Sequence, residues 1–204
     1  MATAEVSKTR ETFLDGIWRD HPIFSMLLGI CSALAISNKV ENAIAMGAGV
    51  TFVLLATAII ISILRNLIPR RVRMIAYMIV IASFVIIVDR VLKAYFPTIS
   101  ESIGPYVGLI ITNCIIMGRA EAFYIQNRTW HGIVDSIANG LSYTLTLTII
   151  AVVREVLGFG TILGLKVTPE GWTNWVVMAM APGAFFVLAL FIWISRTLAK
   201  MESD

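Results

Sequence analysis

The chain has 204 residues, of which 58% are hydrophobic and only 14% are charged. Since soluble domains carry about 25% charged residues, this composition excludes an ordinary soluble enzyme and leaves no room for a separate soluble catalytic module. The net charge of +3 does not indicate nucleic-acid binding, because the basic residues cluster at the ends of apolar segments. The sequence therefore predicts an all-α integral membrane protein.

Six apolar segments follow a polar N-terminal segment of mixed charge at residues 1–22. They lie at 23–36, 43–64, 74–95, 105–117, 133–153 and 175–194. A helix needs about 20 residues to cross the bilayer core, so the first and fourth segments are short and the other four are long enough. We predict one membrane domain at 23–198, six transmembrane helices with the first and fourth short or broken, and a tail at 199–204.

The two halves of the chain resemble each other. LLGICSALAISNKVENA at 27–43 aligns with IITNCIIMGRAEAF at 110–123, cysteine on cysteine. Two further pairs follow in the same order: SILRNLI with VVREVLG, and IASFVIIVDRVL with PGAFFVLALFIW. Because each repeat has an odd number of spans, the second repeat must insert upside down relative to the first. The sequence predicts inverted three-helix repeats at about 23–97 and 104–198, with Cys31 facing Cys114.

The orientation follows from the basic residues. With six crossings, most Lys and Arg residues fall on the side of the N-terminus. Basic residues are enriched in cytoplasmic loops, so we expect both termini in the cytoplasm.

Cys31 and Cys114 are the two cysteines of the chain. A buried thiol ordinarily behaves as a small packing residue, and packing remains one interpretation. The neighbours Ser32, Thr112 and Asn113 favour a metal-ligating pair, because hydroxyl and amide groups can form hydrogen bonds to the sulfurs of an iron–sulfur centre.

Two thiolates do not complete a metal site. A [2Fe–2S] cluster and a structural zinc ion each take about four protein ligands, and His21 and His131 lie at predicted span ends, where interfacial polar residues are expected. The remaining ligands would have to come from another chain, either a different protein or a second copy. An iron centre could carry electrons across the bilayer, whereas zinc has no redox chemistry.

Two acidic residues lie near predicted span ends, Asp89 in the third segment and Asp135 in the fifth. An ionisable side chain at the bilayer centre costs about 2.5–3.5 kcal/mol, so intramembrane acids often mark an ion path. Either aspartate could attract sodium at the mouth of such a path. Alternatively, Asp89 pairs with Arg90 or Lys93, and Asp135 with Arg128 or a backbone amide.

The motifs LGICSALA, GLIITNCIIMGRAEAF, REVLGFGT and APGAFF resemble one family of membrane subunits. This family includes the D subunit of the Na⁺-translocating NADH:quinone reductase and its paralogue, the E subunit of the Rnf ferredoxin:NAD⁺ oxidoreductase. The resemblance covers the chain from about Leu28 to the last span. The stretches SNKVENA, VDRVLKAY and GLIITNC favour the quinone-reductase branch.

The resemblance implies that Cys31 and Cys114 hold half of a [2Fe–2S] cluster shared with an inverted homologous E subunit. It implies a bacterial inner-membrane complex that also contains the A, B, C and F subunits. In that family, electrons pass from the NADH-oxidising, flavin-bearing F subunit through the cluster to the covalent flavin of the C subunit. The complex reduces ubiquinone and exports sodium, and no catalytic residue is expected in this chain.

Two functions of other classes stay open. A small secondary transporter can also be built from inverted repeats with broken helices. It would keep its solute flux after both cysteines were replaced by serine, whereas an electron relay would lose NADH-to-quinone electron flow. A passive scaffold would carry no chromophore at all.

Overall fold

The computed structural model describes residues 26–69, 71–162, 165–166 and 176–201. Its helices are α1 (Ile30–Ile36), α2 (Val40–Leu64), α3 (Arg73–Tyr95), α4 (Pro97–Ile111), α5 (Cys114–Arg119), α6 (Thr129–Phe159), α7 (Val176–Ala179) and α8 (Ala181–Met201). A π-helical turn, Ala120–Tyr124, continues α5. Two-residue strands β1 (Thr161–Ile162) and β2 (Leu165–Lys166) pair antiparallel after α6. The predicted N-terminal segment at 1–22, His21 and the end of the predicted tail lie outside the described residues.

The predicted all-α membrane architecture is confirmed in its coarse form. Within the described ranges, four helical stretches are long and apolar enough to cross a membrane: Val40–Leu64, Arg73–Tyr95, Ile103–Tyr124 and Thr129–Phe159. Pro182–Thr197 is a shorter apolar helix. By length and composition, the described residues therefore contain four candidate membrane spans, fewer than the six that the sequence predicts.

Helices α2 and α6 form the centre of the fold and run antiparallel. At one end, the backbone N–H of Val40, the first residue of α2, donates to Glu155 Oε2 near the end of α6. At the other end, Arg65 directly after α2 donates to the carbonyl of Asn127, just before α6 begins. These contacts provide hydrogen-bond partners for backbone N–H and C=O groups near helix ends, which have no partner within the helix.

The two central helices cross through reciprocal glycine–threonine contacts. A Cβ added to Gly47 would lie 2.5 Å from Thr144 Cγ2, and a Cβ added to Gly140 would lie 2.6 Å from Thr51 Cγ2. Each threonine hydroxyl also donates to the glycine carbonyl one turn earlier in its own helix. Small residues at such positions let membrane helices approach closely. Close packing matters here because lipid offers no hydrophobic driving force for helix association.

The helices that carry the cysteines are short, and each begins within one residue of its cysteine. Gly29 precedes α1 with a left-handed φ of 82°, which glycine adopts without steric cost. The fourth apolar segment is helical on both sides of a break at Thr112 and Asn113, and the Asn113 side chain caps α5 by accepting from the N–H of Ile115 at 3.1 Å. A further break at Met180 separates α7 from α8.

Two predicted lengths need correction. The fourth segment is longer than the sequence predicts, because Ile103–Tyr124 spans 22 residues, whereas the alternative prediction of a broken helix agrees with the break at Thr112 and Asn113. The expectation of one continuous last segment at 175–194 is wrong, because the helix is interrupted at Met180 and its apolar part begins at Pro182. The first segment is helical only over the seven residues Ile30–Ile36 within its described part.

Candidate metal centre

The structure brings Cys31 and Cys114 together at the starts of α1 and α5. The backbone N–H of Gly29 donates to Cys114 Sγ at 2.8 Å, and the Cys31 thiol is close enough to Cys114 to interact with it. Both thiols are free; Cys31 is exposed and Cys114 is half-buried. The two sulfurs therefore form a pair with one side open at the surface of the chain.

A buried polar network lies directly beside the two cysteines. The hydroxyl of Ser32, next to Cys31, lies 2.6 Å from the hydroxyl of Tyr143 on α6. Asn113, next to Cys114, donates from Nδ2 to the same serine oxygen at 3.5 Å. Ser32, Asn113 and Tyr143 are each 0% exposed, so their polar atoms depend on one another for hydrogen bonds.

Close packing fixes the loop before α1. A Cβ on Gly29 would lie 2.6 Å from Ile115 Cδ1 and 3.1 Å from the Tyr143 ring. The same glycine supplies the N–H that reaches Cys114. Position 29 therefore requires glycine both for its backbone angle and for this close approach.

The donor set fits an iron–sulfur ligand pair. Cysteine sulfurs hold such clusters, and backbone N–H groups that donate to these sulfurs help to set their potential. Over the described ranges, no three His, Cys, Asp or Glu side chains come together in a way that could hold a metal ion. His131 is 9% exposed and lies in the first turn of α6.

The short helix α1 is held at its C-terminal end by Arg154 of α6. The Nη1 atom of Arg154 donates to Ser37 Oγ at 2.6 Å and to the Leu34 carbonyl at 3.4 Å. Its Nε and Nη2 donate to the carbonyls of Met178 and Met180, at the end of α7 and at the break before α8. One buried guanidinium thus joins three segments of the fold.

The short helix α5 is held by a buried ion pair. Arg119, its last residue, lies with Nη2 2.5 Å from Asp135 Oδ1 on α6, and the two residues are 3% and 1% exposed. Asn139 donates to the same carboxylate at 3.0 Å, and the Arg119 guanidinium lies over the Phe123 ring. The alternative expected from the sequence was a contact of Asp135 with Arg128 or a backbone amide, and the residues next to Asp135 in the chain carry no signal of the tertiary contact with Arg119.

The other predicted aspartate lies apart from this centre. Asp89 accepts from Lys93 at 2.7 Å within α3, one of the alternatives expected from the sequence. Its side chain is 22% exposed, and that of Lys93 is 55% exposed. The structure therefore separates Asp89 from the cysteine pair and gives Asp135 a buried structural contact. The role of the two aspartates in an ion path stays a prediction.

These features define a helical integral membrane protein in which interrupted helices pair two thiols beside a buried polar network. The sequence matches the family model described as "Rnf-Nqr subunit, membrane protein" over residues 9–192. The chain belongs to this family.

Several relatives are similar along almost their whole length. One from Chlamydia trachomatis serovar L2 is 44% identical, covering 89% of this chain and 90% of the relative. One from Pasteurella multocida is 43% identical, covering 98% and 99%. One from Chlamydia felis is 42% identical, covering 94% of each. All three are named as the D subunit of the Na(+)-translocating NADH-quinone reductase.

Proposed function

We propose that this chain is the membrane-bound D subunit of a Na⁺-translocating NADH:quinone reductase and relays electrons across the membrane, coupled to sodium export. Similarity to relatives with that name extends over almost the full length of both chains, which supports a shared role. The chain acts as one component of a multisubunit enzyme and is inactive alone. Its setting is the bacterial inner membrane, with both termini in the cytoplasm.

Cys31 and Cys114 supply half of the ligands of a [2Fe–2S] cluster in this proposal. The observation that carries it is the pairing of the two thiols at the starts of two short helices, with the Gly29 N–H donated to Cys114 Sγ. Such a cluster has four ligands, and the chain contains two cysteines, so another chain must supply the other two. The resemblance to the family implies that this other chain is an inverted homologous E subunit. A bound cluster would accept and release one electron at a time.

The residues around the two cysteines position the thiols and leave one side of the pair accessible. Gly29 directs an N–H at one sulfur, and the exposed face of Cys31 leaves room for a partner protein. Arg154 and Arg119 hold the C-terminal ends of α1 and α5, the two helices whose first turns carry the cysteines. Ligand geometry is thereby set before the partner binds, which lowers the cost of ordering the site.

The proposed architecture is two inverted three-helix repeats. The antiparallel central helices support it, because α2 and α6 occupy equivalent places in the two halves. The reciprocal contacts of Gly47 with Thr144 and of Thr51 with Gly140 have the form expected about a two-fold axis in the membrane plane. Electrons would enter from the NADH-oxidising, flavin-bearing F subunit and leave toward the flavin of the C subunit, with the A and B subunits completing the complex that reduces ubiquinone.

The test is co-expression of the chain with its membrane partner, followed by iron analysis and electron paramagnetic resonance. We expect about two iron atoms per pair of partner chains and a [2Fe–2S] signal. Cys31→Ser and Cys114→Ser should each abolish the signal and NADH-to-quinone electron flow, while NADH oxidation by artificial acceptors continues.

Ser83→Ala is the matched control, because Ser83 is exposed and donates only to the Ile79 carbonyl of its own helix among the described contacts. It should retain full iron and activity. Iron and signal that survive both cysteine substitutions would contradict the proposal. A wild-type complex without any iron signal would favour a passive scaffold, and solute flux that survives both substitutions would favour a transporter. Activity with reduced ferredoxin and NAD⁺ instead of NADH and quinone would assign the chain to an Rnf-type complex.

A further inference from the structure

We propose that Tyr143 is a positioning residue that locks the two cysteine-bearing helices together through Ser32 and Asn113. This inference deepens the proposed function and rests on it for the meaning of the cysteine pair. Tyr143 belongs to the central helix α6, whereas Ser32 and Asn113 belong to the two interrupted segments. No motif in the sequence links position 143 to either cysteine.

The geometry places the hydroxyl of Tyr143 where the two segments meet. It lies 2.6 Å from Ser32 Oγ and also interacts with Asn113. Ser32 in turn donates to the Gly29 carbonyl at 3.0 Å, and Gly29 donates through its own N–H to Cys114 Sγ. A continuous path of contacts therefore runs from Tyr143 to the sulfur of Cys114.

The network spans both sides of the cysteine pair. Ser32 follows Cys31 directly, and Asn113 precedes Cys114 directly, so a contact between them fixes the relative position of the two sulfurs. The Tyr143 ring also packs against the loop at Gly29. Because all three polar side chains are fully buried, loss of one hydroxyl leaves a donor or acceptor without compensation from water.

Tyr143→Phe removes the hydroxyl and keeps the ring. Tyr124→Phe is the matched control, since Tyr124 is also 0% exposed and its hydroxyl accepts from Ser136, a residue outside the network at the cysteines. Ser32→Ala removes the same hydrogen bond from the opposite side, so the conclusion does not depend on the folding of one variant.

The first readout needs no iron. The full-length chain, purified in detergent without a cluster, is treated with N-ethylmaleimide, and peptide mass spectrometry gives the ratio of modification at Cys114 to that at Cys31. Tyr143→Phe and Ser32→Ala should each raise this ratio about fivefold, the factor that one lost buried hydrogen bond permits. Tyr124→Phe should leave it unchanged, and the double variant should exceed neither single variant.

The second readout is spectroscopic and uses the complex with its cluster. Tyr143→Phe should broaden the electron paramagnetic resonance lines, because the cysteine positions become heterogeneous, and Tyr124→Phe should not. An unchanged labelling ratio in Tyr143→Phe, or an equal rise in Tyr124→Phe, overturns the inference. A wild-type complex without iron but with the expected labelling pattern would refute the cluster and leave the positioning role intact.

Discussion

The two short helices that carry the cysteines, α1 and α5, are equivalent in the sequence repeat but are anchored by different chemistry. For α1, Arg154 reaches across from α6 to the Ser37 hydroxyl and the Leu34 carbonyl. For α5, the arginine lies on the short helix itself, and Arg119 reaches Asp135 on α6. In the proposed repeat, each anchor therefore lies at the C-terminal end of a short helix, but the residue types and the helices that carry them differ.

The two short helices therefore hold matching places in the proposed repeat but are fixed by different side-chain chemistry. Both arrangements bury an arginine and connect a short helix to α6. A buried ion pair, however, is far more sensitive to loss of one member than a set of hydrogen bonds to neutral oxygens. The α5 side should therefore respond more strongly to substitution.

The largest effect is expected from Asp135→Asn. This change removes the charge opposite Arg119 in a site where the arginine is 3% exposed. Breaking a buried pair costs about 3–5 kcal/mol, because the remaining charge is poorly solvated. Thermal unfolding in detergent, followed by circular dichroism, should show a clearly lower midpoint than the wild-type protein.

Two further variants sharpen this result. The double variant Arg119→Leu/Asp135→Leu should recover most of the lost stability, because an apolar pair can replace a buried ion pair at little cost. On the α1 side, Ser37→Ala removes one hydrogen bond to Arg154 and should cost about 1.5–3 kcal/mol. A larger loss in Ser37→Ala than in Asp135→Asn would reverse the proposed difference between the halves.

The sequence was sufficient for the coarse architecture but not for these anchors. Long apolar runs predicted the membrane helices, and the aligned cysteines predicted that the two thiols would meet. The break at Thr112 was suggested by polar residues inside an apolar run. The break at Met180 has a different signal, Pro182, which lacks the N–H that a continuous helix needs and suits the first turn of a new helix; the predicted sixth segment did not take it into account. The bond from Arg154 to the Met180 carbonyl has no such local signal, because it joins residues far apart in the chain.

The central helices are the part in which the two halves match most closely, so the next prediction tests their equivalence. Gly47→Ala and Gly140→Ala should each destabilise the protein by about 1–3 kcal/mol, since the new methyl group would overlap a threonine on the opposite helix. The two losses should be similar, because the contacts are reciprocal. The same thermal unfolding measurement compares them.

Gly108→Ala provides the control for this pair. Gly108 lies in α4, and among the described residues no atom beyond its chain neighbours and its own helix backbone would lie within 4 Å of an added Cβ. Alanine also favours the helix by about 1 kcal/mol over glycine, so this variant should be neutral or stabilised. The double variant Gly47→Ala/Thr144→Ala should regain part of the stability that Gly47→Ala loses, because the shorter side chain at position 144 makes room for the new methyl group. A strong effect at only one of the two crossing glycines would show that the halves are not equivalent there.

The smallest effect is expected at Asp89, where the halves diverge again. The alignment of IASFVIIVDRVL with PGAFFVLALFIW places exposed Leu190 at the equivalent position, so the second half has no counterpart of this acid. Asp89 pairs with Lys93 one turn away on a partly exposed surface. Asp89→Asn should cost only about 0.3–0.5 kcal/mol, the value for i,i+4 pairs on helices, because the pair is local and lies within the last two turns of α3.

A sodium path through Asp89 requires more than this small change in stability. In proteoliposomes containing the complex, Asp89→Asn would then slow sodium uptake while electron flow from NADH to quinone continued. Lys93→Gln serves as the control, since it breaks the same ion pair but keeps the carboxylate. Equal sodium uptake by the wild-type protein and both variants would show that Asp89 only forms an ion pair with Lys93 and has no role in sodium transport. Slow uptake in Asp89→Asn alone would show that the carboxylate, not the ion pair, is what sodium requires at this point of the first half.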